Sequence, residues 1–231
     1  MIRLDGYLCT CKGLTRSEAK KLIKEKRVSI NDSIVSDPSC KVNDDDMVKL
    51  DGEILIFEEY VYIILNKPSG YVTARTDSKN PTVMDLIGEK RKDLSPVGRL
   101  DIDTEGILLI TDNGKLNHNM LSPSKHVDKC YLVRCAHEVS DEDIDHLKNG
   151  VDIGDDKLTL PAKCERSDDN ILLTIQEGRY HQVKRMLAAT GNEVVYLKRL
   201  SFGPLSLDDS LNPGEYRKLN KEELESLKEY L

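Results

Sequence analysis

Apolar residues along this 231-residue chain follow two regimes. Near the start they recur at helical spacing, with Ala19, Leu22 and Ile23 at i, i+3 and i+4 on one face. Thr15-Arg16-Ser17-Glu18 precedes them as a capping box, a threonine oxygen at the helix start and a glutamate three residues on. Val28-Ser29-Ile30 then alternates as a short strand, Asn31-Asp32 supplies a turn, and Met47-Val48-Lys49-Leu50 returns. Beyond residue 60 the apolar runs are longer. Residues 61–65 read as a strand, which Asn66-Lys67-Pro68-Ser69-Gly70-Tyr71 ends with Pro and Gly turn chemistry. Pro81 opens a helix through Met84-Asp85-Leu86-Ile87. Further strands are expected at 107–111, 129–135, 171–177 and 194–202, with helices near 114–121, 140–149 and 180–190. Strands and helices mix without a regular βαβ rhythm, so the expected fold class is α+β. A small module over residues 1–57 and a linker at 58–60 precede a larger domain over 61–231. That domain is expected to carry a mostly antiparallel mixed sheet and flanking helices.

Charge changes the picture. The formal net charge of −7, taken as an average, argues against nucleic acid, but its distribution argues the other way. Lys12, Arg16, Lys20, Lys21, Lys24, Lys26 and Arg27 are opposed locally by Glu18 and Glu25 alone. A second basic window holds Arg179, Lys184, Arg185, Lys198 and Arg199 against Glu193. Acids collect elsewhere, as in Asp44-Asp45-Asp46 and Asp141-Glu142-Asp143. Basic patches on an acidic body suit a local grip on a phosphate backbone. No apolar run of about eighteen residues exists, so no membrane span is expected, and Met1-Ile2-Arg3-Leu4-Asp5 lacks the apolar core of a signal peptide. Of six cysteines only Cys9 and Cys11 are closely spaced, and that pair lacks the second ligand pair of a zinc site. His118, His126, His137 and His146 have no metal-ligand spacing either. Reduced thiols and no metal are expected. The absence of a Walker loop or dinucleotide-type glycine motif leaves nucleotide cofactors without an obvious seat.

Three segments carry candidate chemistry. In Gly98-Arg99-Leu100-Asp101-Ile102-Asp103-Thr104-Glu105-Gly106 a loop feeds a buried strand. Carboxylates at i and i+2 of an extended segment point to opposite faces, so Asp101 and Asp103 are not expected to share a substrate. Asp103 is expected to accept backbone N–H bonds in the turn, leaving Asp101 to face a cleft. In Glu177-Gly178-Arg179-Tyr180-His181-Gln182-Val183-Lys184-Arg185-Met186, helical spacing turns Val183, Met186 and Leu187 inward and groups His181, Lys184 and Arg185 on a polar face. By pattern alone that face reads as a solvated basic edge. In Lys129-Cys130-Tyr131-Leu132-Val133, a lone strand tyrosine reads most simply as core.

Together these segments resemble the pseudouridine synthase family, in family order and over nearly the whole chain. The aspartate after Arg-Leu is the family's catalytic residue, which the resemblance carries to Asp101. Tyr131 stands where a family tyrosine stacks on the target base. Lys184 fills the position of a basic partner to the aspartate that is arginine in many relatives; it offers a point charge rather than a fork, and Arg185 competes for the role. Arg99, Arg179, His181 and Arg185 are expected to face RNA. Lys67-Pro68-Ser69-Gly70-Tyr71 resembles a further shared motif, implying structural support and a phosphate contact. From Arg3-Leu4-Asp5 through Thr15-Arg16-Ser17-Glu18-Ala19 to Val28-Ser29-Ile30-Asn31 the chain resembles the S4 RNA-binding domain. That implies RNA contacts by Arg3, Arg16, Ser17, Lys20, Lys21, Lys24 and Arg27.

The spelling around Tyr180-His181 and the ending Leu211-Asn212-Pro213-Gly214-Glu215-Tyr216-Arg217-Lys218-Leu219 resemble the RsuA branch. The resemblance implies isomerisation of one uridine of 16S ribosomal RNA, uridine 516. A large-subunit synthase of the same fold and a non-catalytic RNA-binding assembly factor are the competing readings. The reaction oxidises nothing and moves no phosphoryl group, so no cofactor is expected. The expected partner is 16S ribosomal RNA or a small-subunit assembly intermediate, with no membrane, for a cytoplasmic monomer.

Overall fold

The computed structural model describes residues 1–89, 91 and 93–231. Contacts divide the chain into two units, one formed by Met1–Val61 with Gly88–Leu94, the other by Tyr62–Ile87 with Ser95–Leu231.

In the first unit, strand β1 (Ile2–Arg3) leads into helices α1 (Leu4–Lys12) and α2 (Arg16–Lys24). The capping box of α2 forms as expected: Glu18 N donates to Thr15 Oγ1 at 3.3 Å, and Thr15 N donates to Glu18 Oε2 at 2.7 Å. Strands β2 (Val28–Ile30), β3 (Ser33–Ile34), β4 (Lys41–Val42), β5 (Val48–Leu50) and β6 (Glu53–Leu55) follow. β4 pairs with β1, and the other four form an antiparallel sheet in the order β3-β2-β5-β6. Leu4, Leu8, Ala19, Ile23, Val28 and Val48 fill the core between helices and strands. Helix α1 was not expected from the sequence, although Leu4, Tyr7 and Leu8, all buried, have the i, i+3, i+4 spacing that announces it.

The second unit contains β7 (Tyr62–Lys67), β8 (Ser95–Pro96), β9 (Glu105–Thr111), α3 (Gly114–Leu121), β10 (Lys129–Cys135) and α4 (Asp141–Asn149). β11 (Lys163–Ser167), β12 (Asn170–Ile175), α5 (Gln182–Ala189), β13 (Val194–Phe202), β14 (Leu205–Ser206), β15 (Tyr216–Lys218) and α6 (Lys221–Ser226) complete it. Seven strands lie in the order β11-β12-β10-β13-β9-β7-β15. β9 and β13 run parallel while the other pairs along this path are antiparallel, so the sheet is mixed as expected. Ile107 to Ile110 of β9 are inaccessible from either side, which is why this strand reads as continuous apolar sequence rather than alternation. One core layer packs α3 onto Ile107, Leu109 and Phe202; another packs α5 onto Val133, Leu173 and Leu197.

Two expectations need correction. The helix expected after Pro81 is a single 3₁₀ turn, Val83–Leu86, whose four residues are too few to propagate an α-helix. The strand expected over 171–177 stops at Ile175, because Glu177 leaves the ladder to bind the loops around it.

The parallel pair depends on a glycine. Gly106 has φ +103°, and a Cβ there would stand 2.1 Å from the carbonyl oxygen of Arg199. Gly106→Ala should therefore cost about 3 kcal/mol in urea denaturation, through backbone strain and overpacking together. An unchanged midpoint would show that β9 and β13 separate freely.

Candidate active site

A cleft of about 1010 Å³ in the second unit is lined by the 98–104 segment, by Lys129 and Tyr131 of β10, and by residues 175–184. Arg199 and Phe202 of β13 line it from below. Its chemistry depends on how two chain segments are fixed.

The first segment closes a tight turn instead of extending. Thr104 N donates to Asp101 O at 3.1 Å, placing Ile102 and Asp103 at the turn's corners. Gly70 N donates to Ile102 O at 2.8 Å, while Thr73 Oγ1 donates to Leu100 O at 2.8 Å and accepts from Leu100 N at 3.1 Å. The Lys67 ammonium, 0 % exposed, donates to Thr104 O at 2.7 Å, Pro68 O at 3.1 Å and Ile102 O at 3.3 Å. Burial pushes it down to about 8, against the pull of Asp103, Asp101 and Glu105. Lys67 is a fastener for the turn, the structural support expected of its motif, and its ammonium is taken up by these carbonyls. Because the segment is a turn, the opposite-face rule for i and i+2 does not hold, and Asp101 and Asp103 both reach helix α5.

The second segment is locked by Glu177. Its Oε1 accepts from Leu160 N and Gln182 Nε2 at 2.9 and 2.8 Å, and its Oε2 accepts from Arg179 Nε at 3.0 Å. Arg179 N donates to Gln182 Oε1 at 2.9 Å. His181 then opens α5 from the left-handed region, φ 48°, a conformation uncommon outside glycine. This sets Lys184 above the turn: its ammonium stands 2.7 and 2.8 Å from the two oxygens of Asp103 and 3.4 Å from Asp101 Oδ2. His181 Nε2 stands 3.5 Å from Asp101 Oδ1. Tyr180, 76 % exposed, stacks on the His181 ring with centroids 3.9 Å apart.

A carboxylate flanked by an ammonium and an imidazole, in a cleft with a nearly buried tyrosine ring, can act as nucleophile or base on a flat, uncharged substrate. A model of the family described as RNA pseudouridylate synthase matches residues 61–189, and an S4 domain model matches residues 2–48. The chain belongs to the RNA pseudouridine synthase family. A Bacillus subtilis (strain 168) relative described as an uncharacterized RNA pseudouridine synthase, YtzG, is 46% identical over 236 residues, covering 99% of each chain. A ribosomal small subunit pseudouridine synthase A from Vibrio vulnificus (strain CMCP6) is 43% identical, covering 98% of this chain and 99% of its own. A crystal structure of a pseudouridylate synthase superposes with TM-score 0.70 at 42% identity, over 98% of this chain and 100% of that one.

This pseudouridine synthase of the RsuA type distributes its basic residues unevenly. Lys184, not Arg185, meets Asp101: Arg185 turns to Asp155 at 2.5 Å and to the carbonyls of Ile153 and Tyr180. Arg179 is likewise engaged inside the fold, donating to Lys157 O and Leu158 O at 2.7 Å each. Arg99 is exposed at the cleft rim. In the S4 domain Arg16, Ser17, Lys20, Lys21 and Lys24 lie exposed on α2. Arg27, expected among the RNA contacts, falls beyond the end of that helix and is held bidentately by Asp51 at 2.8 and 2.5 Å. Arg3 is similarly held by Asp5 at 3.0 and 2.9 Å. Among the described residues no helix is long and apolar enough to cross a membrane.

Lys184 and Asp103 support each other. Burial alone would raise the Asp103 carboxyl, but the hydrogen bond and charge of Lys184 outweigh it and hold the group below its ordinary value. Burial pulls Lys184 down, and the hydrogen bond to Asp103 with the charges of both aspartates holds it above its ordinary value. A depressed carboxyl stabilises the fold above its unfolded pKa of 3.8, and that contribution fades as pH falls through the lower folded value. The melting temperature should therefore fall between about pH 5 and pH 3, and less steeply in Asp103→Asn. Identical slopes would show that the pair contributes nothing to stability.

Proposed function

We propose that this enzyme converts one uridine of small-subunit ribosomal RNA, uridine 516 of the 16S chain, to pseudouridine with Asp101 as nucleophile. The carrying observation is the Asp101 carboxylate lining the cleft, 3.4 Å from Lys184 and 3.5 Å from His181, in a chain whose relatives at 40–43% identity include ribosomal small subunit pseudouridine synthases. The protein acts as a monomer on 16S RNA or on an assembly intermediate. Residues 1–57 grip the RNA, 58–60 link, and 61–231 catalyse.

The target base leaves the RNA stack at a cost of a few kcal/mol and rests against the Tyr131 ring, which returns about 1–3 kcal/mol by stacking. Asp101 attacks C1′ as the N1–C1′ bond breaks, and that electron pair leaves with the uracil. The base turns, and C5 bonds to C1′ and displaces the carboxylate. C5 then loses its proton while N1 gains one, so the product is an isomer of the substrate. Lys184 and His181 orient the attacking carboxylate throughout.

Asp101→Asn should abolish tritium release from RNA carrying 5-tritiated uridine while leaving RNA affinity within about threefold. Wild-type release by this variant would overturn the assignment of Asp101. Mapping pseudouridine in 16S and 23S RNA from a deletion strain tests the target, and loss of a 23S position instead of the 16S one would replace it.

Residues of α2 carry the sequence-independent grip. Arg16→Ala and Lys20→Ala should each lower affinity across RNA sequences and reduce the slope of log affinity against log salt by about one. A change confined to one sequence would contradict a backbone role.

A further inference from the structure

Strand β13 holds a residue that the reaction above does not use. Arg199 is 1 % exposed, yet among the described residues it pairs with no carboxylate. Its Nε donates to Ile107 O at 2.9 Å, its guanidinium lies 4.8 Å from the Phe202 ring centroid, and Tyr131 is its cross-strand partner on β10. Its Nη2 finds no protein acceptor. Lys129 stands beside it, two residues from Tyr131 on the same face of β10, with its ammonium 5.7 Å from the same Phe202 ring. Lys129 donates to Val127 O at 2.8 Å, and burial together with the Arg199 charge pushes it down to about 8. Arg199 and Lys129 thus present two largely desolvated cations under Tyr131.

Burying an arginine without a counter-ion is costly, and the fold goes to some length to do it. Arg199 sits in parallel register with Gly106, where any side chain would strike the Arg199 backbone. The guanidinium is therefore carried by the strand that pairs in parallel with β9, the strand following the Asp101 turn, and it lies inward with Leu197 along β13.

We propose that Arg199, seconded by Lys129, is a positioning residue that acts through Tyr131. From the register position opposite Tyr131 it sets uncompensated positive charge behind the ring against which the uracil rests. The inference rests on the function proposed above. When the N1–C1′ bond breaks, the electron pair spreads over the uracil ring and its carbonyl oxygens. A fixed cation in a dry cleft floor stabilises that charge without touching the base, because the field is weakly screened there.

Such a role depends on the leaving group, whereas a merely structural one does not. Fluorine at C5 makes uracil a better leaving group and lessens its need for help. Single-turnover consumption of the target nucleoside would be measured in RNA carrying uridine or 5-fluorouridine there. Arg199→Gln should slow uridine about a hundredfold and 5-fluorouridine clearly less, with RNA affinity within about threefold. Arg199→Lys, which keeps the charge, should recover most of the uridine rate. Equal slowing of both substrates, or a folded glutamine variant at the wild-type rate, would overturn the proposal. Lys129→Met decides the matter if Arg199→Gln does not fold: it should slow uridine about tenfold and 5-fluorouridine less, and equal slowing would again overturn it. The wild-type protein on the same RNA separates the two readings. No product from wild type sinks the isomerase assignment, whereas product from wild type with equal slowing in the variants sinks only the role of the floor.

Discussion

Hydrogen bonds from the buried Lys67 ammonium to the carbonyls of Thr104, Ile102 and Pro68 fix the geometry from which the rest of the site follows. Carbonyl groups facing one another in a tight turn repel, and three of them converging on one ammonium exchange that repulsion for charge-assisted bonds. Burial works against the arrangement, as the lowered Lys67 pKa shows, so the interaction persists because its alternatives are worse. Without the ammonium, the buried Thr104 carbonyl would lose its 2.7 Å donor. With it, Asp101 and Asp103 are held on one side, facing α5.

The opposite wall is fixed by a different kind of bond. Glu177 satisfies donors from Leu160, Arg179 and Gln182, which ties the loop after β12 to the start of α5. Arg179 and Arg185 then fasten this region to residues 153–158. Two of the four basic residues in the motif are therefore architectural. They keep His181 in its left-handed seat and bring Lys184 over the turn. Each wall is cross-linked within itself by side chain to backbone bonds, which leaves few side-chain rotors to order when a substrate arrives.

Legibility in the sequence tracked the range of the deciding interactions. Strands over 129–135 and 194–202 and the helix over 114–121 coincide with the observed elements, since continuous apolar runs and a capping asparagine are local signals. β11 escaped notice because among Lys163, Cys164, Glu165, Arg166 and Ser167 only Cys164 is buried, so pairing with β12 and not its own pattern makes it a strand. In the site, the juxtaposition of Asp101 with Lys184 was implied by the family resemblance, with Arg185 as the competing partner. The sharing of Lys184 with Asp103 was not, because it needs a turn closed by Lys67 from a distant strand. Arg179 and Arg185 looked like RNA contacts because nothing nearby in sequence announces Asp155 as their partner. Arg199 reads as part of a basic window, although its i+2 spacing from the buried Leu197 places it on the inward face of β13.

The two lysines around the turn are pushed in opposite directions, and the difference bears on how the proposed nucleophile is kept available. Burial lowers Lys67 against the pull of Asp103, Asp101 and Glu105; burial also acts downward on Lys184, but the hydrogen bond to Asp103 and the charges of both carboxylates outweigh it and raise the group. A raised, permanently charged Lys184 could clamp Asp101 so tightly that its oxygens would be occupied. Asp103 prevents this by taking the short contacts, 2.7 and 2.8 Å, and leaving Asp101 the longer one at 3.4 Å. Asp103 is also the more exposed of the two carboxylates, at 61% against 28%, so it can hold the ammonium at the rim while Asp101 stays at the depth of the cleft. Two acids of the same type, two residues apart, thereby differ by geometry: one anchors the cation, and the other keeps the lone pairs that the proposed attack needs.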